Sequence, residues 1–208
     1  MKKTIILLSG AKRSGKDTVG QMIFDQLLAS FNFYPIKTSF AAKLKEASAT
    51  LANIIYNTDC FKVEHFSDES VRQGDYPFIK GAWAGKQICL RTVLQDFGTE
   101  VCRKCIDHSI WIDTVVKFIK TNVNNNVFII TDMRFPNEIN KITKKFKNTY
   151  NILSILIKRQ GLESTDTHES ESFFQQMEQE GLYTDIIENN GTLDDLKQKT
   201  DLFVEKNV

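Results

Sequence analysis

No apolar stretch in this chain approaches the roughly 20 residues that a membrane-crossing helix needs. The apolar run at Thr4–Ser9 follows Lys2 and Lys3, yet it is too short for a secretory leader. The segment AKRSGKD also puts charge where a leader would carry its small-residue cleavage site. Four cysteines in 208 residues, with no leader, point to reduced thiols and a cytoplasmic setting. A net charge of +1 excludes a general nucleic-acid coat and leaves room only for a local basic cleft. There is no internal repeat, and NVNNNV at 122–127 is only a polar turn. The most informative scarcity is arginine. Of 27 basic residues six are arginine, at 13, 72, 91, 103, 134 and 159. A planar guanidinium grips phosphate oxygens with two parallel hydrogen bonds, which lysine cannot do, so these positions mark candidate anion sites.

What is present begins with GAKRSGKDT at 10–18. It follows G-x-x-x-x-G-K, with Asp17 where the usual phosphate-loop pattern carries a hydroxyl. Gly10 and Gly15 permit a backbone curl, with Arg13 and Ser14 inside it, whose N–H groups converge on phosphate oxygens. Lys16 adds a point charge, and the next helix aims its positive N-terminus at the same place. The flanks suit this reading. Thr4–Ser9 is a buried-strand run, and Val19, Ile23, Leu27 and Phe31 recur at helical spacing.

Further runs predict strands at Tyr34–Ser39, Val127–Thr131, Ile152–Ile157 and Thr184–Glu188, with helical patterns between them. That alternation predicts one α/β domain whose parallel sheet is covered by helices on both faces. The longest excursion, about 41–126, exceeds a plain crossover and reads as a functional insert. It holds the loop-like stretch from His65 to Lys86 and a helix from about Leu90. Cys89, Cys102, Cys105 and His108 have something of a zinc spacing. However, Leu90, Leu94, Phe97, Val101 and Cys105 form a helical apolar stripe, which makes Cys105 a core residue rather than a ligand.

Downstream, VFIITDMRFPNE ends a strand on Asp132, the place from which a carboxylate faces a phosphate loop and its magnesium shell. Arg134 follows, and Pro136 suits the first turn of a helix. The segment KRQGLESTDTHESESFF, about 158–172, reads either as a lid carrying Arg159 or as an ordinary exposed loop. A helix start is expected near Asp166 or Thr167, and His168, beside Glu169 and Glu171, reads as ordering that start rather than as a metal ligand or acid-base pair. Finally, Asn190-Gly191 is a turn and Thr192 a helix cap paired with Asp195. This loop either accepts a purine edge or is a plain strand-to-helix turn.

Taken together, GAKRSGKDT, LRTVLQDFGTEVCR with Trp111 after it, TDMRFPNE, THESE and DIIENNGTLDDL resemble bacteriophage-type deoxynucleoside monophosphate kinases from about residue 4 to 200. The resemblance implies a phosphate-loop kinase fold with sheet order 2-3-1-4-5, a helical acceptor insert and a lid, using ATP and Mg2+. It implies that Gly10–Thr18 binds ATP phosphates, with Thr18 on an inner phosphate and Asp17 meeting magnesium directly or through water. Asn190, Gly191 and Thr192 would lie at the ATP base. Arg91, Gln95, Thr99, Arg103 and Trp111 would form the acceptor pocket. Arg134 and Arg159 would close on the transferring group, and Asp132 would join the metal shell. A monomer or homodimer acting on a deoxynucleoside monophosphate follows, with no nucleic-acid or membrane partner.

The chemistry agrees. An acceptor phosphate is already ionised at neutral pH, so transfer needs charge compensation rather than a strong base. Two rivals stay open at this level. One is a kinase of another phosphorylated small molecule, such as phosphomevalonate. The other is a nucleotide-binding regulatory protein without turnover.

Overall fold

The computed structural model describes residues 2–73, 89–161 and 173–208. The chain forms two compact units. The first comprises the residues up to Phe40 together with Val115–Val208, and the second is Ala41–Thr114.

The first unit is built on five parallel strands. These are β1 (Lys3–Ser9), β2 (Pro35–Thr38), β3 (Val127–Met133), β4 (Tyr150–Lys158) and β5 (Asp185–Glu188), in the order β2-β3-β1-β4-β5. That is the expected 2-3-1-4-5 sheet. β1 lies at its centre, in unbroken register with β4 from Lys3↔Tyr150 to Ser9↔Leu156. Its Ile5, Ile6, Leu7 and Leu8 are all wholly buried, as a strand covered on both faces requires.

On one face, α1 (Lys16–Leu28) supplies Val19, Ile23 and Leu27, and α8 (Leu193–Asn207) supplies Leu196, Phe203 and Val204. Both pack on Ile6, Leu8, Ile129, Ile155 and Ile187. On the opposite face, α6 (Pro136–Phe146) brings Phe146 edge-on to Tyr150, which in turn meets Phe128. α7 (Phe173–Gln179) seals Leu156 there with Phe174 and Met177. Pro136 opens α6, as read from the sequence.

One core expectation fails. Phe31 does not continue the α1 stripe: the helix ends at Leu28, a turn bonds Ser30 N–H to the Leu27 carbonyl, and Phe31 is fully exposed. Strand ends also shift. β3 runs on through Asp132 to Met133, with an irregularity opposite Leu8 where its pairing to β1 skips a residue.

The second unit holds α2 (Ala42–Tyr56), a 3-10 turn at Val63–Phe66, α3 (Glu69–Gln73) and α4 (Leu90–Gln95). A π-helix over Asp96–Ile106 and the first turns of α5 (Ile110–Thr121) complete it. Ala49, Ala52, Phe61, Phe66, Leu90, Val93 and Leu94 form its core. Asn53 ties the loop down by bonding both the amide and the carbonyl of Phe61, each at 2.9 Å. The insert was expected over about 41–126, and this unit spans Ala41–Thr114. Residues 115–126 of the expected span belong to the first unit.

α4 passes directly into the π-helix. One reading of this segment is corrected: the apolar stripe stays in the core only at Leu90 and Leu94, whereas Val101 and Cys105 are exposed and Gly98 and Cys102 are buried in their place. The reason is winding. The stripe assumed 3.6 residues per turn, whereas i→i+5 bonding such as Asp107 N–H to the Cys102 carbonyl (2.9 Å) takes more residues per turn.

Candidate active site

At the head of β1 the chain turns through a cradle of unusual backbone angles. Gly10 has φ +150°, Arg13 +64° and Gly15 +97°. Side chains are excluded for steric reasons as well. A Cβ on Gly10 would come 2.5 Å from the Ile157 carbonyl oxygen, and one on Gly15 would come 2.5 Å from Asn189 Nδ2. The glycines of GAKRSGKDT are therefore required by geometry, and α1 starts at Lys16 with its N-terminus facing the cradle.

A cavity of about 420 Å³ opens on this cradle. Arg13, Gly15, Lys16, Asp17 and Thr18 line it from the loop and α1. Arg159 lines it from beyond β4, and Asn189, Gly191, Leu193 and Leu196 from the β5–α8 turn. Lys16 is largely buried, with Nζ 3.3 Å from the Ala11 carbonyl. Ser14 is wholly buried, and its Oγ finds no hydrogen-bond partner among the described residues. Three cations, one carboxylate, helix-start amides and an unmatched buried hydroxyl together form a site for a polyanion with a counter-cation.

The other expected residues are distributed as follows. Of the three placed at the base, Gly191 lines the cavity. Thr192 caps α8 through Asp195, and Asn190 Oδ1 accepts the Gln160 amide (2.8 Å). Asp132 is half-buried and outside the cavity lining, its Oδ1 accepting the Phe40 amide at 2.6 Å. Arg134 also lies outside the lining. Its amide, like that of Phe135, donates to the buried carboxylate of Glu138, which fixes the start of α6.

Arg91, Gln95, Thr99 and Arg103 lie in the second unit, each half-buried along α4 and the π-helix. Trp111 is buried in that unit, its indole N–H donating to the Gly98 carbonyl at 3.1 Å. His168 and the helix start near Asp166 or Thr167 lie outside the described residues, as does the lid segment beyond Gly161. Cys102 is buried and Cys105 and His108 are exposed. Among the described residues no cluster of metal-ligating side chains forms, and no helix is long and apolar enough to cross a membrane.

Sequence reasoning missed Asn189, Leu193 and Leu196. Asn189 Nδ2 donates to the Ser14 carbonyl at 2.9 Å and so braces the cradle from across the sheet. Period-two alternation pointed to it. Ile187 faces the α1/α8 core, so the residue two further on faces the same side. Tyr183 was also missed. Its hydroxyl meets Ser9 Oγ at 2.9 Å just before the cradle, and burial pushes its pKa up to about 12, which keeps it protonated. Replacing Asn189 with alanine should raise the KM for the nucleoside triphosphate about fivefold, the effect of one hydrogen bond. Initial-rate kinetics at saturating acceptor would test this, and an unchanged KM would remove Asn189 from the site.

A glycine cradle and lysine at the head of the central strand, on a sheet of this order, define a phosphate-loop kinase. The structure of APE1195 shares the fold, at 11% identity and a TM-score of 0.50, with 98% of this chain and 94% of that one covered. Dephospho-CoA kinase from Campylobacter jejuni aligns at 14% identity and TM-score 0.45 over 97% and 96% of the two chains. A gluconokinase from Sinorhizobium meliloti 1021 aligns at 11% and 0.46 over 99% and 93%. No curated protein sequence matches significantly. Residues 68–200 match the deoxynucleotide monophosphate kinase family, and the chain belongs to that family. It is a phosphotransferase that phosphorylates nucleotide monophosphates.

Proposed function

We propose that the chain moves the terminal phosphoryl group of ATP, with Mg2+, to a deoxynucleoside monophosphate, in the service of deoxynucleotide biosynthesis. The cavity at Gly10–Thr18 carries this reading, because it gathers Arg13, Lys16, Arg159 and Asp17 around backbone amides. The residues fit a nucleoside triphosphate and its metal. Gly10 and Gly15 admit no side chain, which leaves room for a phosphate, and the Ser14 hydroxyl, without a partner among the described residues, suits a phosphate oxygen.

In this reading Gly10, Arg13, Ser14, Gly15, Lys16 and Thr18 hold the triphosphate. The Asn190–Thr192 turn lies at the base, with Gly191 presenting its backbone. Asp17, with Asp132 from outside the cavity lining, would hold magnesium, which would neutralise charge on the phosphate oxygens. Lys16, Arg134 and Arg159 compensate charge on the group in transit, and the 158–172 segment acts as a lid. Arg91, Gln95, Thr99 and Arg103 receive the acceptor. No side chain takes a proton from the acceptor, because its phosphate is already ionised. The enzyme works as a monomer or homodimer in the cytoplasm.

A coupled ADP-release assay with ATP over deoxynucleoside monophosphates, ribonucleoside monophosphates and phosphomevalonate tests the reading. Turnover with at least one deoxynucleoside monophosphate, and none with phosphomevalonate, is expected. Turnover with phosphomevalonate alone would replace the acceptor assignment.

A further inference from the structure

Arg91, Gln95, Thr99 and Arg103 are spaced four apart, which is the wrong interval for an α-helix. At 3.6 residues per turn each step of four drifts by about 40°, so Arg103 would sit roughly 120° around the axis from Arg91. Beyond Gln95 the observed winding offsets that drift. From Asp96 to Ile106 the helix is π, bonded i→i+5, and each turn takes a little over four residues.

Burial follows that spacing along two rows. Leu94, Gly98 and Cys102 are buried, and Arg91, Gln95, Thr99 and Arg103 are half-buried. Glu100 and Lys104 are exposed and paired with each other at 2.8 Å. Two arginines, an amide and a hydroxyl therefore share one strip.

π-helices mostly occur as single-turn bulges, so an eleven-residue one needs something to hold it. Trp111, at the start of α5, is placed to do so. Its buried indole N–H donates to the Gly98 carbonyl, and its ring meets Phe97 edge-on at 6.4 Å. Gly98 lets the segment press close to α2, where a Cβ would fall 2.6 Å from Leu44 Cδ2.

We propose that Trp111 is a positioning residue, whose indole holds the π winding that lines up Arg91, Gln95, Thr99 and Arg103 on the acceptor monophosphate. This takes the place of the direct substrate contact that the family resemblance implies for Trp111, and it rests on the acceptor reading of that row. Its bond falls between Arg91 and Arg103, so the two arginines depend on it differently. Arg91 lies upstream in α4, whereas Arg103 lies downstream of the anchored carbonyl.

The test uses the full chain, ATP, and whichever of dAMP, dCMP, dGMP and dTMP turns over fastest. Trp111→Phe keeps the ring and removes the N–H. It should raise the acceptor KM about fivefold, with kcat and the ATP KM within about twofold. In a double-mutant cycle Arg103→Ala should cost less in the Trp111→Phe background than in the parent, while Arg91→Ala costs the same in both. Equal losses in the ATP KM, or full additivity for Arg103, would overturn the positioning role.

If neither arginine substitution moves the acceptor KM in the parent, the acceptor reading itself fails, a result distinct from the previous one. Should Trp111→Phe not fold, a Trp83→Phe chain leaves Trp111 as the sole indole. Its emission should stay unquenched on adding the acceptor, and quenching by a stacked base would overturn the proposal.

Discussion

Replacing Lys16 with alanine should lower kcat by on the order of a hundredfold or more, the cost of losing one transition-state charge contact. Lys16 is the most enclosed cation of the cavity. It is largely buried at the first position of α1, with its Nζ held near the Ala11 carbonyl inside the loop. A cation kept there in the protein is already oriented toward the place where phosphate charge accumulates, so no reorganisation is needed during transfer. Arg13 and Arg159 line the same cavity, but Arg159 is exposed and loses more of its field to solvent. The effect should fall on kcat more than on acceptor KM. Thermal unfolding should stay near the parent's, because the packing of α1 rests on Val19, Ile23 and Leu27 rather than on this side chain. Near-native turnover in the variant would remove the phosphate-loop assignment.

The cradle was readable in the sequence because its physics is local. Gly10 and Gly15 are needed by two backbone conformations within one turn, and a short run of residues displays both. The sheet was readable for a similar reason, since strands covered on both faces must be written as uninterrupted apolar runs such as Ile5–Leu8. What stayed hidden depends on contacts between distant segments. Asn189 matters because β5 delivers it to Ser14, 175 positions away along the chain. Asp132 looked like a strand end because apolar character stops at Ile130, yet parallel pairing carries β3 on to Met133. Cys105 and Val101 were placed in a core by counting 3.6 residues per turn. The segment winds wider than that, and the period-four polar row was the signal that could have revealed it.

That row leads to the second large effect. Arg91→Ala and Arg103→Ala should each raise the KM for the acceptor monophosphate at least tenfold, since a charge-assisted contact contributes roughly 1.5–3 kcal/mol. Binding of a non-hydrolysable ATP analogue, measured by calorimetry without acceptor, should change little. The donor cavity is lined from the loop, α1, the β4 end and the β5–α8 turn, all in the first unit, whereas both arginines belong to the second. Lys104 provides the control. It is adjacent to Arg103 in sequence but exposed and paired with Glu100, and such surface pairs are worth only about 0–1 kcal/mol. Lys104→Ala should therefore leave both substrates' constants near the parent values. A general loss of positive charge in the insert would predict similar effects at 103 and 104, whereas a gripping row predicts a tenfold contrast between neighbours. If Arg91→Ala and Arg103→Ala instead weaken the ATP analogue while acceptor dependence stays normal, the second unit is not the acceptor site, and the monophosphate must be held elsewhere on the chain.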